Sequence, residues 1–222
     1  METKPSLAVI GGTGDLGSGL ALRWIEAGYS VIIGSREREK ATAACDQLRN
    51  ILTDRGVASP HLKDMDNVAA ADAADIVVLT VPFNHQQGTL AAIKEHINGK
   101  ILVDVTVPLL PPKVGTVQLP ASGSAGQAAQ AFLGDTVRVV SAFQNVAADH
   151  LKSGHELDCD VLVCGNDPEA RAAVVKLVEA CGMRGFHAGP INNAAAAEAL
   201  TSVLITINRQ FKCHAGIRIT GI

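Results

Sequence analysis

The chain predicts an α/β fold built on a doubly wound, mainly parallel sheet, and three features of its sequence carry that reading. Apolar runs such as Asp-Ile-Val-Val-Leu-Thr-Val at 75–81 barely alternate, as strands covered on both faces must. Strand-like and helix-like segments alternate along the whole length, which calls for right-handed crossovers. A glycine-rich turn, Gly11-Gly-Thr-Gly-Asp-Leu-Gly17, separates the first strand from the first helix.

In chain order, Leu-Ala-Val-Ile at 7–10 is the first strand, and the helix after the turn runs to about Ala27, where Gly28 ends it. A second strand follows at 30–33 and a long polar-faced helix at 36–55. The alanine-rich stretch 68–74 is a short helix leading into 75–81, taken as the fourth strand and closed by Pro82; no strand is assigned between 56 and 67. A helix at 86–97 and a strand at 100–104 come next. The Pro-, Gly- and Ser-rich stretch 106–126 is a loop long enough to imply a function. Beyond it the pattern predicts helices near 126–133, 168–181 and 193–211, with strands at 136–141, 160–164 and 184–187.

With 47% hydrophobic and 18% charged residues, 222 residues can bury one sizeable core. The expectation is a single domain over 1–222, with a small C-terminal αβ elaboration from about residue 135. A net charge of −3 gives no general attraction for nucleic acid or an anionic membrane. No leader-like or membrane-length apolar stretch stands out, so a cytoplasmic protein is expected. Cys45, Cys159, Cys164, Cys181 and Cys213 form no Cys-x-x-Cys pair, and the histidines lack metal spacing. The cysteines therefore read as small buried groups in a reducing compartment, and no metal is expected.

Gly12, Gly14 and Gly17 have the G-x-G-x-x-G spacing, and their place between strand and helix is what makes it specific to a Rossmann-type dinucleotide site. One glycine allows the sharp turn, one lets a pyrophosphate reach the backbone and one lets the helix pack closely. Thr13, Asp15 and Leu16 complete the turn, whose free helix N–H groups face the anion. The second strand ends in Gly34-Ser-Arg36 without the carboxylate that reads an unphosphorylated ribose. Ser35 and Arg36, with Lys40 one helical turn on, suit a 2′-phosphate instead, so NADP(H) is expected over NAD(H). Taken without the glycine turn, residues 36–40 would read as an ordinary solvated charge run.

The strand ends at 80–85, 103–109 and 140–148 converge where an open parallel sheet binds its ligand. Phe83 and Phe143 offer flat surface for a nicotinamide pocket, although core packing explains either equally well. His85 is the candidate acid, but hydride transfer between stacked rings needs positioning and dryness more than an ionised side chain. No catalytic side chain is otherwise named.

These segments, with Leu79-Thr-Val-Pro82, Val139-Val-Ser-Ala142, Val163-Cys-Gly165 and Ala188-Gly-Pro190, resemble the NADPH-dependent coenzyme F420 reductases over nearly the whole chain. Similar domains occur in membrane metalloreductases that use flavin. The resemblance implies an NADPH:F420 oxidoreductase, often dimeric, passing hydride between nicotinamide C4 and deazaflavin C5. It also implies a dinucleotide turn at 13–16, 2′-phosphate contacts at Ser35, Arg36 and Lys40, and nicotinamide-side contacts at Phe83, Leu109 and Ala148; Val81 and Pro82 are expected among the cofactor-binding residues. It weakens at 144–146, 111–126 and 212–222, where acceptor or dimer contacts are expected. The competing readings are an NADPH-dependent reductase of a flavin or small acceptor, and a non-catalytic NADP(H) sensor.

Overall fold

A computed structural model describes residues 4–58, 60–153 and 157–222. Eight strands form one sheet in the order β3-β2-β1-β4-β5-β6-β7-β8. The core strands are β1 (Leu7–Ile10), β2 (Val31–Ser35), β4 (Ile76–Leu79) and β5 (Ile101–Asp104). β1 is paired in parallel with both β2 (Leu7 opposite Val31) and β4 (Leu7 opposite Ile76), so the chain reverses its winding direction between β1 and β4. β6 (Arg138–Ser141) extends the parallel set, and β7 (Asp160–Gly165) joins antiparallel with β8 (Arg184–His187) beside it.

Every residue of β1 and β4 is buried, which accounts for their unbroken apolar sequence: α1 (Asp15–Glu26) and α2 (Arg38–Asp54) cover one face, α3 (Asn67–Ala73) and α4 (Phe83–Ile93) the other. Leu20, Leu22 and Trp24 turn α1 into the core, where the Trp24 indole N–H donates to the Leu177 carbonyl over 2.9 Å. Such a bond removes the cost of burying a polar tip. Gly28, at φ +82°, supplies the left-handed residue after α1. The Asp66 side chain caps α3 through the Val68 and Ala69 N–H groups. Asp167 likewise caps α7 (Pro168–Ala180) through the Ala170 N–H, with Pro168 at the first helical position.

Two local features differ from the sequence reading, and a third settles an alternative it left open. β3 (Leu62–Asp66) is a full strand paired to β2, yet it reads Leu-Lys-Asp-Met-Asp because it forms the sheet edge and buries only Leu62. A short helix, α6 (Ala148–Lys152), follows β6 and lies along α1. There Arg23 donates to the Leu151 and His150 carbonyls (2.8 and 3.2 Å), and Lys152 pairs with Asp15 at 2.9 Å. Phe143 lines no ligand surface: it is 1% exposed and packs edge-on to Trp24 with ring centroids 5.9 Å apart. Its φ of +72° turns the chain after β6 so that the ring enters the core.

α5 (Ala125–Leu133) and α8 (Ala194–Phe211) pack on each other beside β6, and the loop between β5 and α5 rests on α8. Thr206 Oγ1 donates to the Gly115 carbonyl (3.2 Å) and Ser202 Oγ to that of Thr116 (3.3 Å). After α8 the tail returns to β7, where Asp160 N–H donates to the Ile217 carbonyl and Ile219 N–H to the Asp160 carboxylate.

Candidate functional site

A cleft of about 470 Å³ opens at the carboxyl ends of β1, β2, β4 and β5, over the β1/β4 reversal. Parallel sheets leave a crevice there because adjacent crossovers depart to opposite faces.

The glycine turn makes one wall. Gly11 holds φ +76°, and a Cβ on it would stand 2.6 Å from Val81 Cγ1. A Cβ on Gly12 would strike the Val9 carbonyl at 2.8 Å, and one on Gly17 would strike Thr80 Oγ1 at 2.6 Å and Gly12 Cα at 2.9 Å. These glycines let the turn lie flat on β1 and β4. Gly14 differs, since the nearest atom to its would-be Cβ is a carbonyl 3.8 Å away. It caps α1 without any side-chain hydrogen bond, so the first-turn N–H groups open on the cleft as an anion site. Thr13, Gly14, Asp15 and Leu16 line the cleft, while Gly12 and Gly17 shape it from beneath. The Lys152 ammonium holds the Asp15 carboxyl below its usual range.

Ser35, Arg36 and Lys40 line the adjoining wall, on the β2 side of the glycine turn. Ser35 is the last residue of β2 and 7% exposed, whereas Arg36 and Lys40 reach into solvent. Glu37, which sequence reasoning left in a charge run, is also in this wall: its carboxylate accepts from Lys40 Nζ over 2.8 Å. Lys40 and, more weakly, Arg36 keep that carboxyl below its ordinary value.

On the β4 side of the glycine turn, Val81, Pro82 and Phe83 come from the β4–α4 turn, and Val105, Thr106, Val107 and Leu109 from the segment after β5. His85 stands exposed on the first turn of α4, at the rim. Ala148 is not among the lining residues: it starts α6, and its carbonyl lies 3.5 Å from the position of a Cβ on Gly19 of α1.

Two buried carboxyl groups beneath the site escaped the sequence reading. Asp104, 1% exposed at the end of β5, accepts from Gln86 Nε2 (2.6 Å) and the Thr106 N–H (2.9 Å). Burial pushes its carboxyl up. Glu198 on α8, also 1% exposed, accepts from the Ala125 and Gly126 N–H groups at the start of α5. Burial, with Asp104 adding to it, pushes Glu198 up to about 7. The sequence signal for Glu198 is an isolated acid inside Ala-Ala-Ala-Ala-Glu-Ala-Leu. Among the described residues, no group of three or more His, Cys, Asp or Glu side chains is placed to hold a metal, and no helix is long and apolar enough to cross a membrane.

A family profile described as NADP oxidoreductase coenzyme F420-dependent matches residues 6–108, the half that builds the cleft. The F420-dependent NADP reductase of Methanocaldococcus jannaschii is 38% identical over 222 aligned residues, covering 97% of this chain and 98% of that protein. The chain belongs to the F420-dependent NADP reductase family. The enzyme of the same name from Methanothermobacter thermautotrophicus is 40% identical, covering 97% of this chain and 95% of its own. A crystal structure from Arthrobacter sp. FB24, described as a candidate F420-dependent NADP reductase, superposes with a TM-score of 0.79 at 26% identity, covering 97% of this chain and 100% of that one. The reductase fold therefore includes the β6–β8 half as well as the profile-matched half.

Proposed function

We propose that this chain transfers a hydride between NADP(H) and the deazaflavin coenzyme F420. The observation that carries the reading is the meeting, on one cleft, of the glycine turn, the Ser35–Arg36–Lys40 cluster and the apolar Val81–Phe83 and Leu109 surface. Reduction of the deazaflavin takes the hydride of NADPH at C5 and one proton from solvent.

The chain's own contribution is binding and alignment. First-turn N–H groups from Asp15 and Leu16, with Thr13 and Gly14, hold the pyrophosphate, and Gly12 and Gly17 keep the backbone low enough for it to approach. Ser35 donates a hydroxyl, Arg36 a fork and Lys40 a point charge to the 2′-phosphate. Val81, Pro82, Phe83 and Leu109 wall the nicotinamide on its apolar side. No side chain need exchange a proton during hydride transfer, which leaves His85 a rim residue that orients the ligand. We read the continuous sheet as one NADP-binding domain whose elements after about residue 135 buttress the cleft. Five free cysteines fit a cytoplasmic protein, and the exposed Leu110, Val117, Leu119, Val203 and Phe211 fit a homodimer contact.

Mixing the protein with NADPH and either F420 or a free flavin tests this reading. Loss of the deazaflavin visible absorbance, with no comparable flavin reduction, is the expected result. Flavin turnover in preference, or binding without turnover, would replace it with a flavin reductase or a sensor.

A further inference from the structure

Residues 35–40 hold a second carboxylate-dependent feature that the hydride-transfer reading does not require. The Glu37 backbone N–H donates to Ser35 Oγ over 3.3 Å, so that oxygen is used as an acceptor and the Ser35 hydroxyl hydrogen is free to point elsewhere. The Glu37 side chain, meanwhile, engages Lys40 Nζ at 2.8 Å. Glu37 is the N-cap of α2 but makes no side-chain cap bond, so its carboxylate is not committed to the helix. Both partners of the pair are more than half exposed, at 60% for Glu37 and 63% for Lys40, and both can swing. An anion that reaches Ser35, Arg36 and Lys40 together meets a negative group already seated on one of its three ligands.

We propose that Glu37 is a specificity-determining residue, an internal anion that holds Lys40 until the adenosine 2′-phosphate displaces it. The inference rests on the NADP(H) reading of the cleft. A phosphate must break the Glu37–Lys40 pair and stand near a like charge, whereas an unphosphorylated ribose leaves the pair intact. The native chain thus binds NADP(H) less tightly than its cations alone would allow, and releases it more readily. The unphosphorylated nucleotide gains nothing from removal of the carboxylate. Attraction and repulsion between exposed charges are both modest, which places the effect at about two- to fivefold in affinity, shrinking as salt is added.

Titration of the native chain and of Glu37→Gln with NADPH, NADH, adenosine 2′,5′-bisphosphate and 5′-AMP tests it. Glu37→Gln is expected to tighten NADPH and the bisphosphate by about two- to fivefold and leave NADH and 5′-AMP unchanged. In a Lys40→Ala background the same substitution is expected to gain less, since the pair is already broken. Unchanged or weaker affinity for the phosphorylated ligands, or equal tightening of 5′-AMP, overturns the role of Glu37. A native chain that binds NADPH no better than NADH overturns instead the underlying NADP(H) reading, so the two failures are distinguishable.

Discussion

Glu198 Oε2 accepts the backbone N–H of Ala125 over 2.7 Å, so a carboxylate from the last helix closes the N-terminus of α5. Gln86 ties the same point to the cleft, donating to Asp104 Oδ2 at 2.6 Å and to the Ala125 carbonyl at 3.1 Å. The segment between β5 and α5 thus hangs between two buried carboxyl groups, one at the end of β5 and one on α8.

Stability should follow the protonation of Glu198. Its folded carboxyl is raised from an ordinary 4.5 to about 7, so between those values the folded chain keeps a proton that the unfolded chain has released. Stability is then fully present below the lower value, falls as pH rises through the window, and levels off above it. The raised Asp104 carboxyl acts in the same direction. Calorimetric melting from pH 4.5 to 8 should show this fall, and Glu198→Gln, which cannot ionise, should flatten it by roughly 2–3 kcal/mol. An unchanged slope in the variant would remove Glu198 as the cause.

Arg36→Ala should weaken NADPH by about 1.5–3 kcal/mol, the range for a hydrogen bond to a charged group, and leave NADH nearly unaffected. Fluorescence titration of both nucleotides reads the difference. Equal losses would mean that Arg36 contacts the adenine or pyrophosphate instead.

The glycine turn separates folding from binding. Gly17→Ala forces a methyl against Thr80 and the Gly12 backbone, so it should cost about 1–3 kcal/mol of stability and impair both dinucleotides. Gly14→Ala meets only an atom 3.8 Å away, so it should cost no more than about 0.5–1 kcal/mol, the penalty for placing alanine at a helix N-cap. A Gly14→Ala protein destabilised as much as Gly17→Ala would contradict the geometry of the turn.

Asp160 anchors the tail. Its carboxylate takes a two-point bond from Arg184 (2.8 and 2.7 Å) and the Ile219 N–H at 2.6 Å, and these partners hold it below the usual carboxylate range. Asp160→Asn should therefore cost about 1.5–3 kcal/mol and speed amide exchange at Ile219. The native chain should lose the same contribution as acid protonates Asp160, below the ordinary carboxylate pKa. Unaltered exchange at Ile219 would show the tail to be held by other contacts.

The parts of this architecture that were legible in the sequence are those where one physical requirement governs each position. Buried β1 and β4 demand apolar residues throughout, and Gly12, Gly14 and Gly17 sit where a side chain would obstruct packing or approach. β3 was illegible because an edge strand buries so little that Lys63, Asp64 and Asp66 are tolerated. Phe143 was ambiguous because aromatic surface suits a core and a cofactor equally, and its positive φ decided for the core without any local sequence signal. Gly11 takes the left-handed turn that the motif spacing alone does not assign to it. Asp104 and Glu198 act through burial and through partners distant in sequence, which periodicity does not report, whereas Glu37 and Lys40, three residues apart, read only as part of a solvated charge run.

The most direct test of the central claim is the ratio of kcat/KM for NADPH and NADH, with F420 as acceptor in both assays. A cation cluster at the tip of β2 that grips the 2′-phosphate predicts a ratio of at least about tenfold, corresponding to one charge-assisted contact of about 1.4 kcal/mol. A ratio near one, with F420 reduced equally by both nucleotides, would contradict it.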